Sequence, residues 1–154
     1  MFFRRPGFTL LEIILTLGVM VIIFSLLFVS GSKYLIASRL EETRDTVLWQ
    51  LKRAREQTQT SVGAAPFGVH FDTTAAVLFR GPTYSIGAGS NETYTLPGEF
   101  TIAQTNLTAG RTEVLFDRLT GATATTGTVI VGHRTDTSLR KTLRIYETGI
   151  IAPE

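Results

Sequence analysis

The sequence predicts an α+β fold in which one long N-terminal helix, membrane-spanning in its first half and amphipathic in its second, packs on antiparallel β-sheets. Three observations carry this. From Phe8 to Val29 the chain is apolar, with Glu12 as its only charge. A stretch with helical spacing follows, and no proline interrupts the chain between Phe8 and Ala65. After Pro66 the apolar residues recur every second position and turn residues punctuate the chain, which is the pattern of short strands.

The apolar run is about 22 residues long, against the roughly 20 that a helix needs to cross a bilayer core. A secretory signal would have a shorter apolar core followed by a small-residue cleavage site. Here Gly7 lies before the run, and Ser30-Gly31-Ser32 leads straight into Lys33, so the run is expected to remain in the working protein. Arg4 and Arg5 keep the N-terminus cytoplasmic by the positive-inside rule. From Lys33 to about Thr58 the helix continues. Ile36, Leu40, Val47, Leu51 and Ala54 share one face, widened by Leu48, while Glu41, Glu42, Arg44, Asp45, Lys52, Arg53 and Glu56 fill the rest. Their stripe is the expected core face.

Phe67, Val69 and Phe71 alternate with Gly68 and His70, and Ala75 to Arg80 forms a second run, so residues 66–80 read as a hairpin around Asp72-Thr73-Thr74. Residues 82–91, with Gly87 and Gly89, read as a mobile loop. Thr93 to Leu96 and Phe100 to Ala103 are strands flanking the turn dipeptide Pro97-Gly98, and Val114 to Phe116 is another. Leu119 to Gly127 reads as an exposed loop rich in Thr, Ala and Gly. Strands at Gly127 to Gly132 and Thr142 to Tyr146 follow, joined by His133 to Arg140, and Ile150 and Ile151 close the core.

With 154 residues the chain holds one modest domain beside the helix. Its 15 Lys and Arg outnumber its 13 Asp and Glu only by Arg4 and Arg5, so the chain after Gly7 is formally neutral. Strong non-specific binding of nucleic acid is therefore not expected. There is no cysteine, which excludes disulfides, thiol catalysis and thiolate metal sites. No order of residues suggests a nucleophile, a phosphate loop or a paired acid and base, so no catalytic residue and no cofactor is expected.

Glu12 is the anomalous residue, because a carboxylate deep in a membrane helix costs about 2.5–3.5 kcal/mol and calls for a partner. Arg4-Arg5-Pro6-Gly7-Phe8-Thr9-Leu10-Leu11-Glu12, with the acid fifth after the glycine, resembles the leader and N-terminus of type IV pilins and type II secretion pseudopilins. The resemblance covers Arg4 to about Val29. It implies a pilin-like fold, a leader peptide at 1–7, a membrane or filament-core helix at 8–30, its amphipathic continuation at 31–60, and a β domain at 61–154. It also implies that a prepilin peptidase cuts after Gly7 and methylates the amine of Phe8, and that Glu12 serves assembly with other pilin or pseudopilin subunits. The C-terminal domain would then lie outside the inner membrane, which the chain crosses once. A cut there would place a new ammonium four residues before Glu12, available to it in the same chain or a neighbour. More diffusely, Leu51-Lys52-Arg53-Ala54-Arg55 and the order of the C-terminal strands resemble H-type minor pseudopilins and FimT-like minor pilins.

The FimT-like group includes DNA-uptake proteins, so the densest basic stretch, Arg134, Arg140, Lys141 and Arg144, is the candidate nucleic-acid contact. On a strand, Arg140, Thr142 and Arg144 would share one face with Lys141 opposite. The family's C-terminal Gly-Arg-x-Arg sequence is absent; that place reads Gly149-Ile150-Ile151-Ala152, and Tyr146 is the only aromatic nearby. A solvated strand face is the plainer expectation. His70 and His133, the only histidines, would need Asp72 or Asp136 to form a zinc site, and are expected to be solvent-facing; Asp72 and Asp117 lack the regular spacing of a calcium loop. The expected function is thus a structural assembly subunit, not an enzyme, with a DNA-capturing minor pilin as the alternative.

Overall fold

The computed structural model describes residues 7–154, apart from the side chains of residues 26–32. The chain divides into two compact units, Met1–Ala37 and Ser38–Glu154.

Helix α1 runs from Leu10 to Gln59. Thr9 caps it: the Glu12 amide donates to Thr9 Oγ1 at 3.3 Å and to the Thr9 carbonyl at 3.1 Å. Thr-x-x-Glu is the sequence of a capping box, which satisfies a helix donor that would otherwise lack a partner. In the first unit every described side chain from Phe8 to Ser25 is exposed. The expected membrane span over residues 8–30 is not found: among the described residues no helix is long and apolar enough to cross a membrane. The helix begins at Leu10, and the side chains of 26–32 lie outside the described residues, so the described apolar run falls short of the roughly 20 residues a crossing takes. Residues 1–6 of the expected leader also lie outside them.

The second unit combines the C-terminal part of α1 with eight strands: β1 Phe67–Asp72, β2 Ala75–Arg80, β3 Glu92–Thr95, β4 Phe100–Leu107, β5 Glu113–Leu115, β6 Gly127–His133, β7 Arg140–Ile145 and β8 Ile151–Pro153. They form two antiparallel four-stranded sheets, ordered β3-β2-β1-β5 and β4-β6-β7-β8. The architecture is α+β with antiparallel sheets. From Leu40 onward the helix stripe is buried as expected, with Val47, Leu51 and Ala54 fully enclosed and Leu40 nearly so, whereas Ile36, the first residue of the expected stripe, is only half-buried. Removing a leucine or valine side chain from water contributes about 1.5–3 kcal/mol each. Val69, Leu78, Phe100, Val114, Val129, Val131 and Leu143 supply the strand side of the core.

Polar bonds tie the helix to the strands. The Thr58 hydroxyl, fully buried, donates to the Ala54 carbonyl at 2.8 Å and accepts from the Phe67 amide at 2.9 Å. Arg55 donates from Nε to the Gly121 carbonyl at 3.2 Å. Gly149 lies at a φ of 74°, and a Cβ there would collide with that same carbonyl. The chain can pass so close only because both φ and space suit glycine.

The hairpin pairs in register from Phe67 with Arg80 to Asp72 with Ala75. Both strands flanking Pro97-Gly98 are present as expected, β3 in the first sheet and β4 in the second, so this turn changes sheets. Other expectations need correction. β4 extends to Leu107 through an irregularity between Ile102 and Gln104, because β6 offers it a full-length partner. β7 begins at Arg140 and ends at Ile145, and β8 appears where only a core-closing tail was expected; Ile151 is buried and Ile150 exposed. The Leu119–Gly127 loop is not simply exposed. Thr123 and Thr125 are buried, and Thr123 Oγ1 donates to the Leu115 carbonyl at 2.7 Å. Threonine hydroxyls can enter a core when a backbone carbonyl takes their proton.

Candidate functional site

Three sets of residues were legible as candidates, and the structure treats them differently. At the N-terminus, Gly7 is exposed with nothing within 4 Å of where its Cβ would lie, and Phe8 is 80% exposed. Both precede the helix, which begins at Leu10. Glu12 sits in the first turn, where the helix macrodipole favours an acid. Thr9, which was not singled out in the sequence, fixes the start of the helix between the Gly7–Phe8 bond and Glu12. Its signal was available as the Thr-x-x-Glu spacing.

The basic stretch divides. Arg140 and Arg144 are exposed on one face of β7, with Thr142 between them, while Lys141 lies on the side of buried Leu143 and Ile145. From there Lys141 Nζ reaches Glu41 of the helix at 3.5 Å. Arg144 pairs with Glu154. Arg134 follows β6, its backbone amide donating to the Glu99 carbonyl at 2.9 Å. Two of the four cations are thus neutralised within the chain, and the four do not share a face.

The histidines are not the solvent-facing pair expected. His133 caps the β6–β7 connection: its Nδ1 accepts from the Asp136 amide at 3.1 Å, and its ring meets Phe100 edge-on at 5.9 Å. His70 is half-buried on β1. Its ring stacks on Tyr84 with centroids 4.0 Å apart and planes 6° apart, and its Nδ1 stands 3.9 Å from Glu113 Oε2. Among the described residues no three His, Asp or Glu side chains converge as metal ligands. Sequence gave no sign of the His70–Tyr84–Glu113 contact, because its members come from a strand, a loop and another strand.

On the outer face of the helix, Trp49 is 54% exposed beside Glu41, Glu42 and Asp45, with the Arg53 guanidinium 5.2 Å from its ring centre. Arg53 also forms a bidentate pair with Glu92 of β3. This shallow groove holds no arrangement of acid, base or nucleophile. No protein-family model, no curated protein and no solved structure matches this chain.

Proposed function

We propose that the chain is a structural, pilin-like subunit: a minor pseudopilin of a type II secretion or type IV pilus machine, most like the H-type and FimT-like subtypes. In this reading a prepilin peptidase cuts after Gly7 and methylates the amine of Phe8. The subunit crosses the inner membrane once, N-terminus cytoplasmic, and is then drawn into a filament or its tip. The observation that carries the reading is a conjunction at the N-terminus. Arg4-Arg5-Pro6-Gly7-Phe8-Thr9-Leu10-Leu11-Glu12 opens an apolar sequence, and every described side chain from Phe8 to Ser25 lacks cover. Contiguous apolar surface of that extent needs lipid or other helices against it.

Glu12 supplies the assembly chemistry. Its charge is costly in lipid unless paired. The helix starts at Leu10, so the Phe8 amine lies outside helical i,i+4 geometry with Glu12. That favours an amine from a neighbouring subunit as its partner. Glu12→Leu should therefore insert and be cleaved, yet crosslink poorly to other subunits. Normal incorporation would remove the pairing idea, and mature protein that still began at Met1 in cells with an active prepilin peptidase would remove the family reading.

Capture of DNA is the competing function, and the intrachain pairs of Lys141 and Arg144 weaken it. Binding to duplex should be no tighter than about 10⁻⁴ M at physiological salt, the weak end of non-specific affinity. Micromolar, salt-sensitive binding that disappears in an Arg140→Ala/Arg144→Ala variant would favour DNA uptake instead.

A further inference from the structure

The second face of the β3-β2-β1-β5 sheet carries a small apolar cluster of its own. Val77 and Phe79 of β2 are buried there, although they alternate with Ala76 and Leu78, which point to the main core. Gly68 makes room for the Phe79 ring: a Cβ at Gly68 would lie 2.6 Å from it. The cover is the connection from Gly81 to Asn91, expected from its composition to be mobile. It is instead closed by its own bonds. Asn91 Nδ2 donates to the Ser85 carbonyl at 2.8 Å, and the Asn91 amide donates to the Ala88 carbonyl at 3.0 Å. Tyr84 descends from it, meeting Phe79 edge-on at 5.7 Å and stacking on His70.

One atom in this arrangement is unsatisfied. His70 Nδ1 is buried and has no hydrogen-bond partner. The nearest opposite charge is Glu113 Oε2 at 3.9 Å, on the residue of β5 directly across from His70. A buried polar atom without a partner calls for an explanation, and a carboxylate just beyond bonding distance supplies one.

We propose that His70, Glu113 and Tyr84 form a proton-operated clamp on the Gly81–Asn91 connection. In the neutral imidazole that carries its proton on Nε2, Nδ1 is an acceptor facing a carboxylate and has nothing to bond. Protonation makes it a donor facing Glu113, so a small closing movement creates a charge-assisted hydrogen bond. The same proton turns the His70–Tyr84 stack into a cation against an aromatic face, which strengthens it. Other groups around His70 do not cancel the effect. Its neighbour across β2 is the uncharged Val77, with Thr93 of β3 beyond. On its own strand Asp72 is two residues on and adds negative potential, while Arg111, two residues before Glu113, is exposed. The contribution is therefore present when His70 is charged and absent when it is neutral. Ile86, in the same connection, is 88% exposed.

The test uses the full chain in detergent micelles. Hydrogen exchange at the Ala88 and Asn91 amides is measured from about pH 8 to about pH 5.5, corrected for intrinsic pH dependence. Protection should rise by roughly threefold to tenfold toward acid pH. The rise should vanish in His70→Gln and shrink in Glu113→Gln. Protection that stays flat in wild type, or that rises equally in His70→Gln, overturns the clamp. Should His70→Gln fail to fold, the Tyr84 ring resonances of the wild type decide. They should move as the pH is lowered from about 8 to about 5.5, and ring resonances that stay fixed over that range overturn the proposal.

Discussion

Leu15 and Leu51 are the same residue type in the same helix, and they meet opposite surroundings. Leu15 is 65% exposed, and so are its apolar neighbours from Leu10 to Phe24 to similar degrees; Leu51 is fully buried, with Val47 and Ala54 beside it. The difference lies in what surrounds each leucine in sequence. Around Leu15 apolar residues occupy every side of the helix, so no single protein face could cover them. Around Leu51 they form one stripe with charges filling the rest, which is the pattern of a helix whose cover comes from its own chain. Among the described residues the first region has no cover within the chain, whereas the second has its cover there.

The comparison makes unequal predictions for the two leucines. Leu51→Ala should cost about 2–5 kcal/mol, as for other buried leucines. Leu15→Ala should change the unfolding of the strand-rich part by less than about 0.5 kcal/mol, as exposed substitutions do. Denaturant unfolding in one detergent, followed by the near-ultraviolet signal of Trp49, measures both. Equal effects would break the comparison.

A smaller effect is expected at Thr58, where α1 is joined to β1. Thr58→Val keeps the shape but strands the Phe67 amide, which now donates to the hydroxyl. Leaving a buried donor unpaired should cost about 1–3 kcal/mol. Hydrogen exchange at the Phe67 amide, compared with a fully internal strand amide such as that of Val129, would show whether the loss is local.

The smallest effect belongs to the start of the helix. Thr9→Ala removes the cap and should cost the first turn about 0.5–2 kcal/mol. Faster exchange at the Glu12 amide with an unchanged melting temperature for the strand-rich part is the expected result. A lowered melting temperature would mean that the two regions are energetically coupled.

Much of the fold was legible in the sequence. The helix stripe from Leu40 onward, the first hairpin and most strand positions follow from periodicity and turn residues, because side-chain direction repeats every 3.6 residues in a helix and every two in a strand. Glu12 stood out for the same kind of reason, as a charge where the pattern allows none. Strand lengths and partners were less legible. β4 outran its expected end because β6 supplied hydrogen bonds that no local signal announces. The threonines at 123 and 125 were misread as exposed; the Thr123 hydroxyl donates to the Leu115 carbonyl and accepts from the Thr125 amide, partners the local sequence does not announce.

The sequence by itself determined the long helix, its change from uniformly apolar to one-sided, the first hairpin, and the place of Gly7, Phe8 and Glu12 at the start of the apolar run. These depend on residues near one another in the chain, where spacing and backbone preference decide the outcome. Only the tertiary structure decided that Pro97-Gly98 passes the chain from one sheet to the other, that Glu41 and Glu154 hold Lys141 and Arg144, and that Tyr84 lies on His70 beside Glu113. The reason is physical. A side chain's charge and hydrogen-bonding capacity belong to its type, but its partner is set by which distant segments the buried core brings within a few ångströms.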